Sequence, residues 1–187
     1  MNIYENITKQ LDALHEKIRP DNIDEWFDDI RETVNIFLSG EKLSHFRKTL
    51  EYVEYELRKG CSEKEQLKKV YWLVDKLKSS EPDFLIENLR NSGRAIAHPG
   101  DNDKEKDRKL SLRNAISGEA LRILEQTRLG KRDIVIGILM RNFTAKKVKF
   151  PQELVEASKP KYDINLFRAF VYAFLSNFTT EKEDDNE

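Results

Sequence analysis

Residues 23–38 read IDEWFDDIRETVNIFL and place Ile23, Trp26, Phe27, Ile30, Val34, Phe37 and Leu38 three and four apart. That interval matches the 3.6-residue turn of an α-helix and gathers the apolar side chains on one broad face. A stripe this wide predicts a helix near the centre of a core, capped by Asn22 and closed by Gly40. The same period runs through the flanks. Ile3, Ile7, Leu11, Leu14 and Ile18 predict an amphipathic helix closed by Pro20. Leu43, Phe46, Leu50, Val53 and Leu57 predict a third up to Gly60, with Tyr52 and Tyr55 broadening its apolar side. Gly40 and Gly60 cut the pattern too early for a long coiled coil, so the expectation is bundle packing.

Further along, Ser62 and Glu65 form a capping box ahead of Leu67, Val70, Tyr71, Val74 and Leu77, which predicts a fourth helix with these residues inward. Ser80 and Pro82 open a fifth, proline being tolerated in a first helical turn. The run DNDKEKDRK after Gly100 is too polar to pack and reads as a solvated loop or the start of the next helix. Leu110, Leu112, Ile116, Leu121, Ile123 and Leu124 trace a sixth helix toward Gly130. The expected fold is all-α: a bundle of about six helices over 1–130 and a short helical subdomain over 131–178. Residues 179–187, TTEKEDDNE, form an acidic tail expected to be disordered. The central core is expected from Trp26, Phe27, Ile30, Leu50, Val53, Val74 and Leu89.

Composition narrows function mainly by exclusion. The 187 residues are 39% hydrophobic and 36% charged, with 33 Lys and Arg against 34 Asp and Glu. A net charge of −1 supplies no global pull toward nucleic acid or an anionic membrane, so any such binding needs a local patch. A single cysteine, Cys61, forms no internal disulfide, and no Cys and His spacing suits zinc, so a reducing cytoplasm is the expected compartment. No export signal and no run of about 18 apolar residues is present, so no membrane span is expected. Glycine-rich phosphate loops and nucleophile elbows are missing too, and no cofactor or metal is expected.

The C-terminal segment carries the apolar run IVIGILM, then a basic patch with Lys146, Lys147 and Lys149, a candidate contact for nucleic-acid phosphates. Pro151 opens a short helix and Asp163 caps the last. In that last helix Phe167, Phe170 and Phe174 repeat as an aromatic ridge; the helix is read as partly buried against the first domain, with the ridge as a surface for a partner or a second copy. The helix is apolar on most of its circumference, so it lacks the polar side chains that read base edges in the DNA major groove.

Chemistry concentrates in LRNSGRAIAHPG, Leu89–Gly100. On one helix Arg90, Arg94 and His98 stand four apart on a shared face with Asn91 beside them, and Pro99 and Gly100 end the helix there. Guanidinium groups hold phosphate and an imidazole moves protons near neutral pH, which equips this face for cutting RNA without a metal. Gly93 inside the helix points to a close approach by another backbone, a ligand or a second copy. The plainer alternative has His98 capping its own helix and Arg90 and Arg94 paired with acids such as Glu87.

The segment resembles the HEPN superfamily of prokaryotic defence and toxin proteins, whose mark is an arginine, often followed by asparagine, and then a nearby histidine. Arg90 with Asn91 matches the first pair and His98 the histidine. The interval to His98 is wider from Arg90, and narrower from Arg94, than the family's usual one. The resemblance implies an all-helical bundle, a homodimer that joins two motifs, and metal-independent RNA cleavage with Arg90, Asn91, Arg94 and His98 as the catalytic set. The alternative expectation is a non-catalytic helical subunit bracing a larger assembly, such as a ribonucleoprotein.

Overall fold

The computed structural model describes residues 3–100 and 104–179; of residues 3–8 and Pro20 the side chains are not described. The loop expected at 101–103, the tail over 180–187 and the side chains of Ile3 and Ile7 therefore lie outside the described residues. Among the described residues the secondary structure is nine α-helices and one 3-10 turn, with no strand. The fold is all-α, as the periodicity predicts. The chain forms two compact units, Met1–Phe84 and Leu85–Glu187.

The first unit is a four-helix bundle of α1 (Ile3–Lys17), α2 (Ile23–Phe37), α3 (Gly40–Arg58) and α4 (Glu63–Lys78). Each helix packs on the next, and α1 on α4 closes the ring. Trp26, Phe27, Ile30 and Val34 of α2 fill the centre, with Leu50 and Val53 of α3 and Val74 of α4, all buried. The indole N–H of Trp26 also donates to the Leu14 carbonyl at 2.9 Å. Leu14 lies in the last turn of α1, whose carbonyls have no partner within the helix, so this buried bond satisfies a group that would otherwise be stranded.

Local details depart from the sequence reading for identifiable reasons. Asn22 makes no side-chain cap to α2. Its amide instead accepts from the Arg19 backbone N–H at 2.8 Å and donates to the Lys17 carbonyl at 2.7 Å, tying the 3-10 turn Pro20–Asn22 to the end of α1. α2 ends at Phe37 rather than at Gly40, because Leu38 turns extended and is itself buried. Gly40, at φ +58°, then opens α3 in the left-handed region. Ser62 and Glu65 do form the expected capping box. Tyr52, Tyr55 and Tyr71 are exposed rather than inward, since Leu50, Val53 and Leu57 on α3 and Val70, Leu73, Val74 and Leu77 on α4 already complete the core faces.

The second unit contains α5 (Glu81–Ala97) from Leu85 onward, α6 (Lys106–Arg128), α7 (Arg132–Ala145), α8 (Gln152–Ala157) and α9 (Ile164–Leu175). α6 packs on both α7 and α9, and α9 on α8. The compact units thus divide at Phe84–Leu85 and not at 130–131, because the helices after Gly130 bury their apolar faces on α6. The aromatic ridge is corrected in the same way: Phe167, Phe170 and Phe174 are each 0% exposed and form the unit's own core. Phe174 meets Phe143 and Phe178, and Phe170 meets Tyr162 edge to face at 4.9 Å. They are not a partner surface. Asp163 caps α9 as expected, accepting from Leu166 N–H at 2.8 Å.

The turn between α8 and α9 is held by charge. Glu156 is fully buried, with Lys159 at 2.7 Å and Lys161 at 3.0 Å from its carboxylate. Burial pushes the carboxyl up, but the two ammonium groups outweigh it and hold it below its ordinary value of 4.5. Arg132 closes the other side, donating to the carbonyls of Lys159 at 3.2 Å and Tyr162 at 2.7 Å across the Phe167 ring.

Trp26→Ala is expected to destabilise by about 3–5 kcal/mol, since it leaves a cavity and strands the Leu14 carbonyl. Urea unfolding followed by circular dichroism measures this, and a loss under about 1 kcal/mol would contradict the packing. Because the folded Glu156 pKa is depressed, its stabilising contribution is present above about pH 4.5 and is lost as pH falls through the folded value. Glu156→Gln should therefore flatten the acid limb of a Tm-against-pH curve, and an unchanged limb would remove Glu156 from that role.

Candidate nucleic-acid interface

The motif helix α5 turns Leu85, Leu89, Gly93, Ile96 and Ala97 inward. Gly93 sits where a Cβ would lie 2.2 Å from the Phe174 carbonyl oxygen of α9, a distance no side chain can occupy. Of the readings open for Gly93, close approach of another backbone is the one realised. With that side committed to α9, helical spacing puts Arg90, Asn91, Arg94 and His98 on the remaining face, and all four are exposed.

The end of this helix is tightly specified. α5 stops at Ala97, because Pro99 disfavours helical geometry at His98. The His98 N–H still reaches the Arg94 carbonyl at 2.8 Å, which anchors the backbone while the ring stands at the rim. His98 is one candidate to cap the helix carbonyls, yet that work falls to Arg113 of α6, whose guanidinium donates to the Ala97 carbonyl at 3.1 Å. The Asn177 amide donates to the Arg90 carbonyl at 3.4 Å from beyond α9. Arg90 pairs with Glu87 at 3.6 Å, both half exposed, a contact worth little in water. Among the described residues Arg94, Asn91 and His98 have no side-chain ion pair or hydrogen bond.

Arg113 is the residue that the sequence did not single out. It lies half-buried on a different helix and brings a third guanidinium to the residue before His98. Its only sequence signal is an arginine beside the buried Leu112, which does not reveal its partner.

The lysines form a separate feature at the end of α7. Lys146 is the C-cap and Lys147 takes a left-handed backbone at φ +55°, donating to the Thr144 carbonyl at 3.1 Å. Val148 N–H closes the turn on the Phe143 carbonyl at 3.1 Å, so the corner is a Schellman-type end in which lysine stands where glycine is usual. Lys147 and Lys149 are exposed and Lys146 half-buried. No side-chain bond among the described residues joins this turn to Arg90–His98. The two share a foundation instead: Phe143 packs on Phe150 and on Phe174, whose carbonyl meets Gly93.

Against known proteins, no family model, no curated protein and no solved structure matches the chain. No helix among the described residues is long and apolar enough to cross a membrane.

Gly93→Ala tests the placement of the motif. In an open helix this change stabilises by about 1 kcal/mol. Here it should destabilise by about 1–3 kcal/mol, because the new methyl forces α5 and α9 apart. A Tm equal to or above wild type would mean that the helices do not cross at Gly93.

Proposed function

We propose that the chain acts on RNA as a HEPN-like, metal-independent ribonuclease, paired as a homodimer in a cytoplasmic prokaryotic defence or toxin system. The observation that supports this most is an exposed set of polar side chains, Asn91, Arg94 and His98, with no partners among the described residues, on a helix whose other side is fixed against α9. Unpaired guanidinium and imidazole groups on a rigid element are available to a ligand, whereas structural arginines in this molecule, such as Arg113 and Arg132, are spent on carbonyls.

In this reading Arg90 and Arg94 hold a phosphodiester through charge-assisted bonds. His98 takes the proton of the ribose 2′-hydroxyl, whose oxygen attacks the adjacent phosphorus. The bond to the 5′-oxygen breaks, and that oxygen leaves with a proton from the second copy's imidazole. The products are a cyclic phosphate and a free 5′-hydroxyl, so one base and one acid suffice. Lys146, Lys147 and Lys149 would extend the positive track along the strand. The rival reading, a non-catalytic brace, draws on an exposed ridge of Phe167, Phe170 and Phe174, and their burial takes that support away.

The test is cleavage of single-stranded RNA with chelator present. Wild type should cleave, His98→Ala should lose about 10²–10⁴ in rate, and its Tm should stay within a few degrees because the ring is exposed. Arg94→Ala should weaken RNA binding as well. Light scattering should give the mass of two chains. A wild type that leaves several RNAs intact under these conditions overturns the nuclease assignment.

A further inference from the structure

The antiparallel pair α3 and α4 of the first unit carries a surface that the motif helix does not explain. Tyr52 and Tyr55 on α3 are 63% and 57% exposed, and Trp72 on α4 is 50% exposed. Large rings left in water at this density are costly unless they are used. Each belongs to a stripe with lysine: Lys48, Tyr52, Tyr55 and Lys59 recur at four, three and four residues on α3, and Trp72 and Lys76 stand four apart on α4.

Cross-helix contacts set the register. The Lys69 ammonium lies 3.9 Å from Glu56, which fixes those two residues as neighbours. Running the helices in opposite directions from that point brings Tyr52 within one residue of the level of Trp72, and one turn further brings Lys48 within one residue of Lys76. Lys48 and Lys76 do line one open recess of about 670 Å3, together with Lys42, His45 and the acids Glu41 and Asp83. An aromatic rung therefore lies next to a cationic one on one face. Of the acids near this face, Glu56 is paired with Lys59 at 3.6 Å and with Lys69, and Asp83 is paired with Lys42 at 2.7 Å.

We propose that this α3–α4 face binds single-stranded RNA, with bases stacking on Tyr52, Tyr55 and Trp72 and phosphates on Lys48, Lys59 and Lys76. The lysine positions carry the argument. In the free protein the Lys59 ammonium covers the Tyr55 ring at 4.3 Å and Lys76 covers the Trp72 ring at 5.0 Å. A phosphate draws each ammonium toward itself and uncovers the ring for the base that follows, so one strand satisfies both halves of each pair. Duplex RNA buries its base faces and offers only phosphates. The inference shares a ligand class with the proposed nuclease but none of its residues.

The experiment uses the full-length His98→Ala protein, so that no strand is cut, with a fluorescein-labelled single-stranded RNA and the blunt duplex of the same sequence. Binding of the single strand should quench the exposed Trp72 fluorescence and exceed duplex binding. Trp72→Ala in this background should weaken the single strand by about 5- to 100-fold, and Tyr52→Ala should act in the same direction. Lys48→Ala with Lys76→Ala should lower the slope of log affinity against log salt by about 0.7 for each phosphate that is no longer engaged. Circular dichroism and Tm should remain at the parent values, since these side chains are on the surface. If single strand and duplex bind alike, or if Trp72→Ala and the double lysine variant bind as the parent does, the proposal is overturned. So too if the parent binds no RNA at low salt, in which case the rings serve a protein partner. The nuclease assignment fails separately, by absence of cleavage in the wild type, and Arg94→Ala should leave the Trp72 quenching in place.

Discussion

The contact between Gly93 and the Phe174 carbonyl sets how the motif helix α5 lies against α9. Two helices that meet backbone to backbone have no side chain between them to adjust the distance, so their separation is set by main-chain atoms alone. Phe174 is also the hub of the aromatic core, touching Phe143 and Phe178. With α9 held by α6 and α8, this crossing decides which face of α5 is buried and which four side chains of the motif are left in water. A candidate site built on a helix held in this way inherits its precision from the core beneath it.

A second regularity is the way helix ends are satisfied. The last carbonyls of a helix need donors from elsewhere, and here they come from side chains distant in sequence. Trp26 serves Leu14, Asn22 serves Lys17, Arg113 serves Ala97 and Arg168 serves Arg128. Two of these four donors are arginines, whose charge is thereby spent on holding helix ends. That use makes the unspent groups, Arg94 and His98 in one unit and Lys76 over the Trp72 ring in the other, stand out by contrast.

What could be read from the sequence follows from the range of the forces involved. Helices, their Ser62 and Asp163 caps and the core on Trp26, Phe27 and Ile30 are encoded by neighbours within a few turns, and the periodicity revealed them. The Phe167, Phe170 and Phe174 ridge was equally visible as apolar, but whether its cover is the chain itself or another molecule depends on α6 and α7, which no local pattern reports. The partition at Phe84–Leu85 was hidden for the same reason, because α5 runs through it as one unbroken apolar stripe. Tyr52 and Tyr55 misled because aromatic residues count as apolar in a periodic pattern even when the ring faces water, as at Tyr52, or lies under a lysine, as at Tyr55. In the candidate site the shared face of Arg90, Asn91, Arg94 and His98 was legible from spacing, while Arg113 was not.

The left-handed corner at Lys147 shows what this chain gives up. Glycine takes that backbone geometry without steric cost, so a lysine there leaves the turn weaker than it could be. The same residue sets an exposed positive charge at the carbonyl end of α7, where the helix dipole favours it. Backbone ease and surface charge are thus in competition at one position. A laboratory lineage selected for heat tolerance alone would drift toward glycine at this corner, and in doing so would remove one of the three lysines, Lys146, Lys147 and Lys149, that cluster there.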